Sequence, residues 1–227
     1  MLAMDGVKIE IAELNPSKGV NPRIIYDQFR WRKTHEYSGP NTIQIGDVKE
    51  PIWWNRPIKT DRAVKKEPDG LYSYNLPYIY TDRLFKSEYN LLVGRGSVPI
   101  MLMLKIDEGW EPKQRACAIK LLKTAVWKTA VRLGADKGKL SNPMNDLMYG
   151  GKKFMGYECT EHGGWFGAAA VVTLNYSNEK DIFQKLTGEY ALRRPICGIQ
   201  EELGDSFTKE QFTETLIEEL EKLLKAL

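Results

Sequence analysis

Between Ser141 and Ser177 the chain reads SNPMNDLMYGGKKFMGYECTEHGGWFGAAAVVTLNYS, and this stretch holds the side chains best suited to chemistry. Asn145 and Asp146 open an apolar run (Leu147, Met148, Tyr149). Gly150 and Gly151 then supply a tight turn, and Lys152 and Lys153 begin a second run from Phe154 to Glu158. A hairpin of two such strands sets its ends across from one another, so an acid on one and a lysine on the other can bracket a phosphate and its metal. Aspartate offers a hard oxygen ligand for Mg²⁺. Lysine offers a compact positive charge for a carboxylate or phosphate oxygen. Successive strand residues point to opposite faces, so Lys152 and Lys153 cannot both enter one cleft. On spacing alone, a solvated hairpin with exposed lysines has the better claim.

The elements around this stretch must position it. Val7 to Ile11 and Thr42 to Gly46 read as short strands, and Arg23 to Tyr37 as an amphipathic helix. Residues 47 to 74 hold three prolines, the Trp53-Trp54 pair and many charges, and are expected to form a long irregular loop. Tyr78 to Tyr80 is a strand candidate. Val98 to Ile106 is nearly continuous in apolar residues, as a strand covered on both faces would be. A helix is predicted from Pro112 in its first turn to Gly134 at its end, with Ile119, Leu122, Val126, Ala130 and Leu133 on one stripe. Asn145 to Tyr149, Phe154 to Cys159 and Phe166 to Leu174 follow as strands, and Glu179 to Leu186 as a helix. The last helix carries a T-x-x-Q capping box at Thr208 and Gln211, a Phe207–Phe212 staple, and the stripe Leu216, Leu220, Leu223, Leu227. The predicted class is α+β: a mixed, largely antiparallel sheet with helices packed on one side. Residues 1–75 are expected to be an N-terminal extension and loop region packed on the same single domain, with residues 76–227 as its core.

Composition narrows the partners. A net charge of +3, from 33 basic and 30 acidic residues, gives no reason to expect nucleic acid. No apolar run reaches the roughly 18 residues of a membrane helix. Three cysteines without a CxxC pair, and two histidines, argue against structural zinc and for reduced thiols in the cytoplasm. Cys117, on the long helix, and Cys159, at a strand end, read as packing residues. His162 and the Lys65-Lys66-Glu67 run read as solvated surface, and Trp53 and Trp54 as a cover over the core.

The run N-D-L-x-x-x-G-x-K-x-x-G (Asn145, Asp146, Leu147, Gly151, Lys153, Gly156) resembles the core motif of the lipoate– and biotin–protein ligase and octanoyltransferase superfamily. The resemblance extends from about Tyr78 to the C-terminus. The strand Gly167 to Asn175, ending in Leu-Asn, is similar to that of lipoate ligases, and the G-I-G-x-N sequence usual in biotin ligases is missing. Pro195-Ile-Cys-Gly-Ile199 resembles the octanoyltransferase segment that carries an acyl-accepting cysteine, here Cys197. Gly94-Arg95-Gly96-Ser97 is similar to the short adenylate loop of biotin ligases, while the longer glycine-rich loops of lipoate ligases and octanoyltransferases have no counterpart.

The resemblance implies an ATP- and Mg²⁺-dependent ligase that turns lipoic or octanoic acid into an acyl-adenylate and passes the acyl group to a lysine of a lipoyl-type carrier protein. Asp146 would hold the metal and Asn145 orient it. Lys153 would neutralise phosphate charge, and Gly94, Arg95 and Gly96 would close over the nucleotide. Two alternatives stay open: a transferase using a Lys153/Cys197 pair without ATP, its thiol activated by the lysine, and a non-catalytic binding module that has lost the glycine-rich loop.

Overall fold

The run SVPIMLMLK becomes β8 (Ser97–Lys105), and every residue from Ser97 to Leu104 is buried. Both faces of this strand are therefore covered, as its unbroken apolar character predicted. The computed structural model describes residues 9–13, 40–46, 52–54, 64–66, 72–74, 79–81, 92–93, 96–105, 112–143, 146–162, 164–177 and 195–225. Around β8 a seven-stranded sheet runs in the order β1 (Ile9–Glu13), β2 (Asn41–Ile45), β8, β12 (Trp165–Thr173), β11 (Lys152–His162), β10 (Asp146–Tyr149) and β9 (Leu140–Ser141). β1 and β2 are parallel, and all other neighbours in this sheet are antiparallel.

Alternation sorts the side chains into two layers. Ile43, Ile45, Ile100, Leu102, Leu104, Ala168, Ala170, Val172 and Leu147 belong to one continuous core with Leu122 and Val126 of α1 (Pro112–Arg132) and Phe212, Leu216 and Leu220 of α3 (Lys209–Lys225). Met101, Met103 and Trp165 form a separate buried cluster. Two long helices on one side of a mostly antiparallel sheet is the α+β arrangement expected.

Both long helices end as their sequences require. Gly134 adopts φ 105° beyond α1, a conformation that a glycine reaches without strain. At the start of α3 the capping box closes in both directions: Thr208 N–H donates to Gln211 Oε1 at 2.7 Å, and Gln211 N–H to Thr208 Oγ1 at 3.2 Å. The Phe207 and Phe212 ring centroids stand 6.0 Å apart. Arg132 at the end of α1 ties the helices together, donating from Nη1 to Glu218 at 2.8 Å and Glu219 at 2.9 Å.

Three expectations are corrected or extended. Residues 47 to 74 are not one irregular loop, since β3 (Ile52–Trp54), β4 (Val64–Lys66) and β5 (Tyr72–Tyr74) lie within them. With β6 (Ile79–Thr81) and β7 (Leu92–Val93) they build a second sheet in the order β4-β5-β6-β3-β7. Strands of three residues are too short to show a period of two against a background of prolines and charges. The strand β9 and the short helix α2 (Ile199–Glu202) were not anticipated, for the same reason of length. The helices expected at 23–37 and 179–186 lie outside the described residues. Among those described, no helix is long and apolar enough to cross a membrane.

The capping box and the buried stripe differ in how much they stabilise. Thr208→Ala should cost about 1 kcal/mol, and Leu220→Ala about 2–5 kcal/mol, because it leaves a cavity under the sheet. Urea unfolding monitored by circular dichroism reads both. Equal losses would contradict the burial assigned to α3.

Candidate active site

Strict alternation would put Lys153 and Gly156, three residues apart, on opposite faces of β11. They share a face because the register against β10 slips: Leu147 pairs with Met155, and the next residue, Met148, pairs with Lys153. Phe154 is the extra residue of a β-bulge. Phe154 and Met155 are consecutive, and both enter the core. The alternation therefore resumes one residue late, and Lys153 rejoins the face that carries Asp146 and Gly156. Asp146 is the direct partner of Gly156 across the strands. The lysine side chain lies over the glycine: a Cβ at position 156 would stand 2.6 Å from Lys153 Nζ and 2.7 Å from its Cε. From there Nζ reaches Asp146 Oδ1 at 2.7 Å. The side chains of Lys153 and Asp146 retain 29% and 13% exposure, so the pair is shielded yet open to a ligand.

Lys152 goes the other way and pairs with Glu202 Oε1 at 2.6 Å, an exposed contact that raises its pKa through that hydrogen bond. The two lysines thus part as strand alternation predicts.

A second set of contacts fastens the C-terminal segment to the hairpin. Lys153 N–H donates to Pro195 O at 2.8 Å, and Cys197 N–H donates to Lys153 O at 2.9 Å. Ile196 is thereby bridged to Lys153 in parallel. The next glycine is squeezed between chains: a Cβ at Gly198 would collide with Leu174 O and lie 2.7 Å from Asn175 Cα. Gly96 is squeezed against Asn175 O, and its own carbonyl accepts from Leu174 N at 2.7 Å and Asn175 N at 3.0 Å. Glu201 completes the clamp by accepting from the backbone N–H groups of Tyr176 and Ser177, each at 2.9 Å. Burial pushes its carboxyl pKa up. Hydrogen bonds from Ser177, Tyr176 and Gly198 outweigh that and leave it lowered.

The other residues singled out in the sequence fare differently. Asn145, Gly94 and Arg95 lie outside the described residues. Gly96 is described, and its place beside Asn175 is a close backbone packing. Cys197 corrects one expectation. Its thiol is buried, points to the Lys152 carbonyl at 3.8 Å, and has its pKa pushed up to about 12 by burial first and then by the Glu202 charge. The transferase alternative called for a thiol depressed by a neighbouring lysine, whereas a buried, inert cysteine is the other reading of Cys197. Lys152 is the lysine that acts on it, and burial prevails. Cys117 packs against the core as expected, whereas Cys159 is exposed. His162 ends β11 opposite Trp165.

Three residues of interest escaped sequence reasoning. Glu201 looked like part of an ordinary acidic pair. Lys123 is buried on α1, with its ammonium 5.7 Å from the centroid of the Tyr157 ring and its pKa lowered by burial. The signal was there, since Lys123 falls on the apolar stripe between Leu122 and Val126. Gln44 is buried on β2, and its Oε1 has no hydrogen-bond partner among the described residues.

The two well-placed thiols should react at very different rates. At pH 8 iodoacetamide should alkylate the exposed Cys159 and spare Cys197 until the protein unfolds, as peptide mass mapping would show. A thiol whose pKa is higher folded than unfolded supports the fold below pH 9 and ceases to do so as pH rises towards 12. Protection of Cys197 should therefore fail only in strong alkali. Rapid labelling at neutral pH would contradict its burial.

No family model and no curated protein matches the sequence. Solved structures do match in shape. One is lipoate-protein ligase A bound with ATP, 14% identical, with 96% of this chain and 85% of that one covered at a TM-score of 0.58. Another is the bi-partite lipoate protein ligase from Thermoplasma acidophilum, 14% identical, 96% and 83% covered, TM-score 0.59. A third is LipL1 from P. falciparum in complex with lipoate, 12% identical, 96% and 62% covered, TM-score 0.59. At these identities the likeness speaks for architecture, and the chain has the fold of lipoate–protein ligases.

Proposed function

We propose that the chain is an ATP-dependent acyl–protein ligase that activates lipoic or octanoic acid as its adenylate and transfers the acyl group to a lysine of a carrier domain. The observation that carries this reading is the Lys153–Asp146 pair, held over Gly156 at one end of a buried sheet face. An ammonium has three donors, and Asp146 uses one. The other two are free to meet an acid carboxylate and an α-phosphate oxygen. Such a cation, fixed in place before reaction and partly shielded from water, stabilises charge as it develops. In the first step a carboxylate oxygen attacks the α-phosphorus, and pyrophosphate leaves. In the second a carrier lysine amine attacks the acyl carbonyl, an amide forms and AMP leaves.

Magnesium fits this site if it arrives with the nucleotide. Mg²⁺ is commonly held by one or two carboxylates together with substrate phosphates. Among the described residues no group of three or more His, Cys, Asp or Glu could hold a metal unaided. Asp146 is the side chain that would contribute an oxygen, and the bound ion would supply charge neutralisation across the phosphates. Asn145, Gly94 and Arg95 belong to the same proposal as residues that orient this end and close over the adenylate. The carrier is proposed by likeness to the T. acidophilum bi-partite ligase, described with its E2 lipoyl domain as one lipoylation system. The transferase alternative is disfavoured by the buried, high-pKa thiol of Cys197.

Octanoate with Mg²⁺-ATP should release pyrophosphate. Lys153→Ala should weaken acyl-adenylate binding by roughly 10²–10³-fold, while Lys152→Ala leaves it within a few-fold. Asp146→Asn should remove pyrophosphate release, and Cys197→Ala should retain it. Equal effects at both lysines would sink the assignment. A covalent octanoyl adduct on Cys197 from an octanoyl thioester, without pyrophosphate release, would replace the ligase with the transferase.

A further inference from the structure

The face of the large sheet that carries Asp146 and Lys153 can be followed strand by strand away from the pair. Asp146 is opposite Gly156, Gly156 opposite Val171, and Val171 opposite Pro99. Two residues along β8 lies Met101, whose partner on β2 is Gln44. Cross-strand partners share a face, so Gly156, Val171, Met101 and Gln44 form one lane. Gly167 and Met103 run beside it. The lane starts at a charged pair, crosses a glycine and apolar side chains, and ends at a carboxamide. From Gly156 to Gln44 it spans three strand-to-strand steps and two residues along β8, roughly 16 Å in all. A charged pair at one end, apolar side chains between and a carboxamide at the other match the polarity of a carboxylic acid whose apolar chain ends in a polar group.

Gln44 is the anomaly in this lane. It keeps 8% of its exposure, and its Oε1 is buried without a hydrogen-bond partner among the described residues. A buried carbonyl left unpaired costs free energy that an apolar residue of the same shape would not. The buried hydroxyl residues of this face, Thr42 and Ser97, have partners, and Met101, Met103, Val171 and Trp165 around them are apolar. A glutamine at the far end therefore calls for a ligand that pairs with it.

We infer that Gln44 is a specificity-determining residue, and that among medium-chain acids of the class proposed above the site prefers those carrying an O–H or N–H donor near the end of the chain, received by Gln44 Oε1. This rests on the acyl-activating reading of the Lys153 end and adds the chemistry of the opposite end. A plain saturated fatty acid, with no donor at its tail, would leave the carbonyl unpaired and bind less well. Preference of this kind arises from the penalty on the site's own buried polar group.

Calorimetric titration of the full chain with octanoic, 8-fluorooctanoic and 8-hydroxyoctanoic acids tests this, since fluorine matches the hydroxyl closely in size and donates nothing. The wild type should bind the hydroxy acid about tenfold more tightly than the other two. Gln44→Met should erase that preference, leave octanoic acid bound at least as tightly as in the wild type, and raise the melting temperature of the free protein by a few degrees, because the unpaired acceptor is gone. Equal binding of all three acids by the wild type would overturn the proposal while leaving the acyl reading intact. So would a hydroxy-acid preference that survives in Gln44→Met, or a lower melting temperature for that variant. Failure of all three acids to bind would overturn the acyl reading and this inference with it.

Discussion

The arrangement rests on one side chain lying flat across a strand. Lys153 reaches Asp146 only because position 156 has no Cβ and because the Phe154 bulge returns the lysine to the aspartate's face. Each condition is cheap alone. The bulge places a large aromatic ring in the core, which favours folding, and the glycine costs a little backbone entropy. Together they convert a hairpin that would show an exposed lysine into one that holds its ammonium 2.7 Å from a carboxylate.

The same economy governs the neighbouring segments. Gly96 and Gly198 both pack against the Leu174-Asn175 backbone, and in both the missing side chain lets one backbone approach another. The hydrogen bonds from Leu174 and Asn175 to Gly96, and from Tyr176 and Ser177 to Glu201, then fix where β12 ends. The 195–198 segment is bonded directly to the backbone of Lys153. Displacing it would disturb the lysine, which gives the P-I-C-G run a structural purpose that needs no reactive thiol.

The two faces of the sheet have separate tasks. One is packed on α1 and α3 by interlocking apolar side chains, with the Arg132 ion pairs joining the two helices. The other carries the charged pair at one end and an unpaired carboxamide at the other, with methionines between. Polar groups left unpaired are a cost that a purely structural face would shed. Among the described residues Gln44 Oε1, on this face, and Asn175 Oδ1, at the end of β12, are the buried side-chain atoms left so.

How much of this could be read from the chain depends on the range of the interaction involved. The hairpin, the apolar run of β8, the α1 stripe and the α3 cap are local patterns, each written within some twenty residues, and they determine the α+β class and the division between Lys152 and Lys153. The Phe154-Met155 doublet between the lysine and the glycine is also local, and could have announced the bulge. Other features depended on partners distant in sequence. Short strands such as β3 to β5 carry too few residues to show a period. Cys197 is adjacent to nothing reactive in sequence, and only the packing of its segment against Lys152 and Glu202 set its thiol pKa high. Gln44 reads as one polar residue in an alternating strand. Its burial, and its place on the same face as residues more than a hundred positions away, came from the order in which β2, β8, β12 and β11 pair, because sheet order is settled by long-range burial and leaves no mark within any single strand.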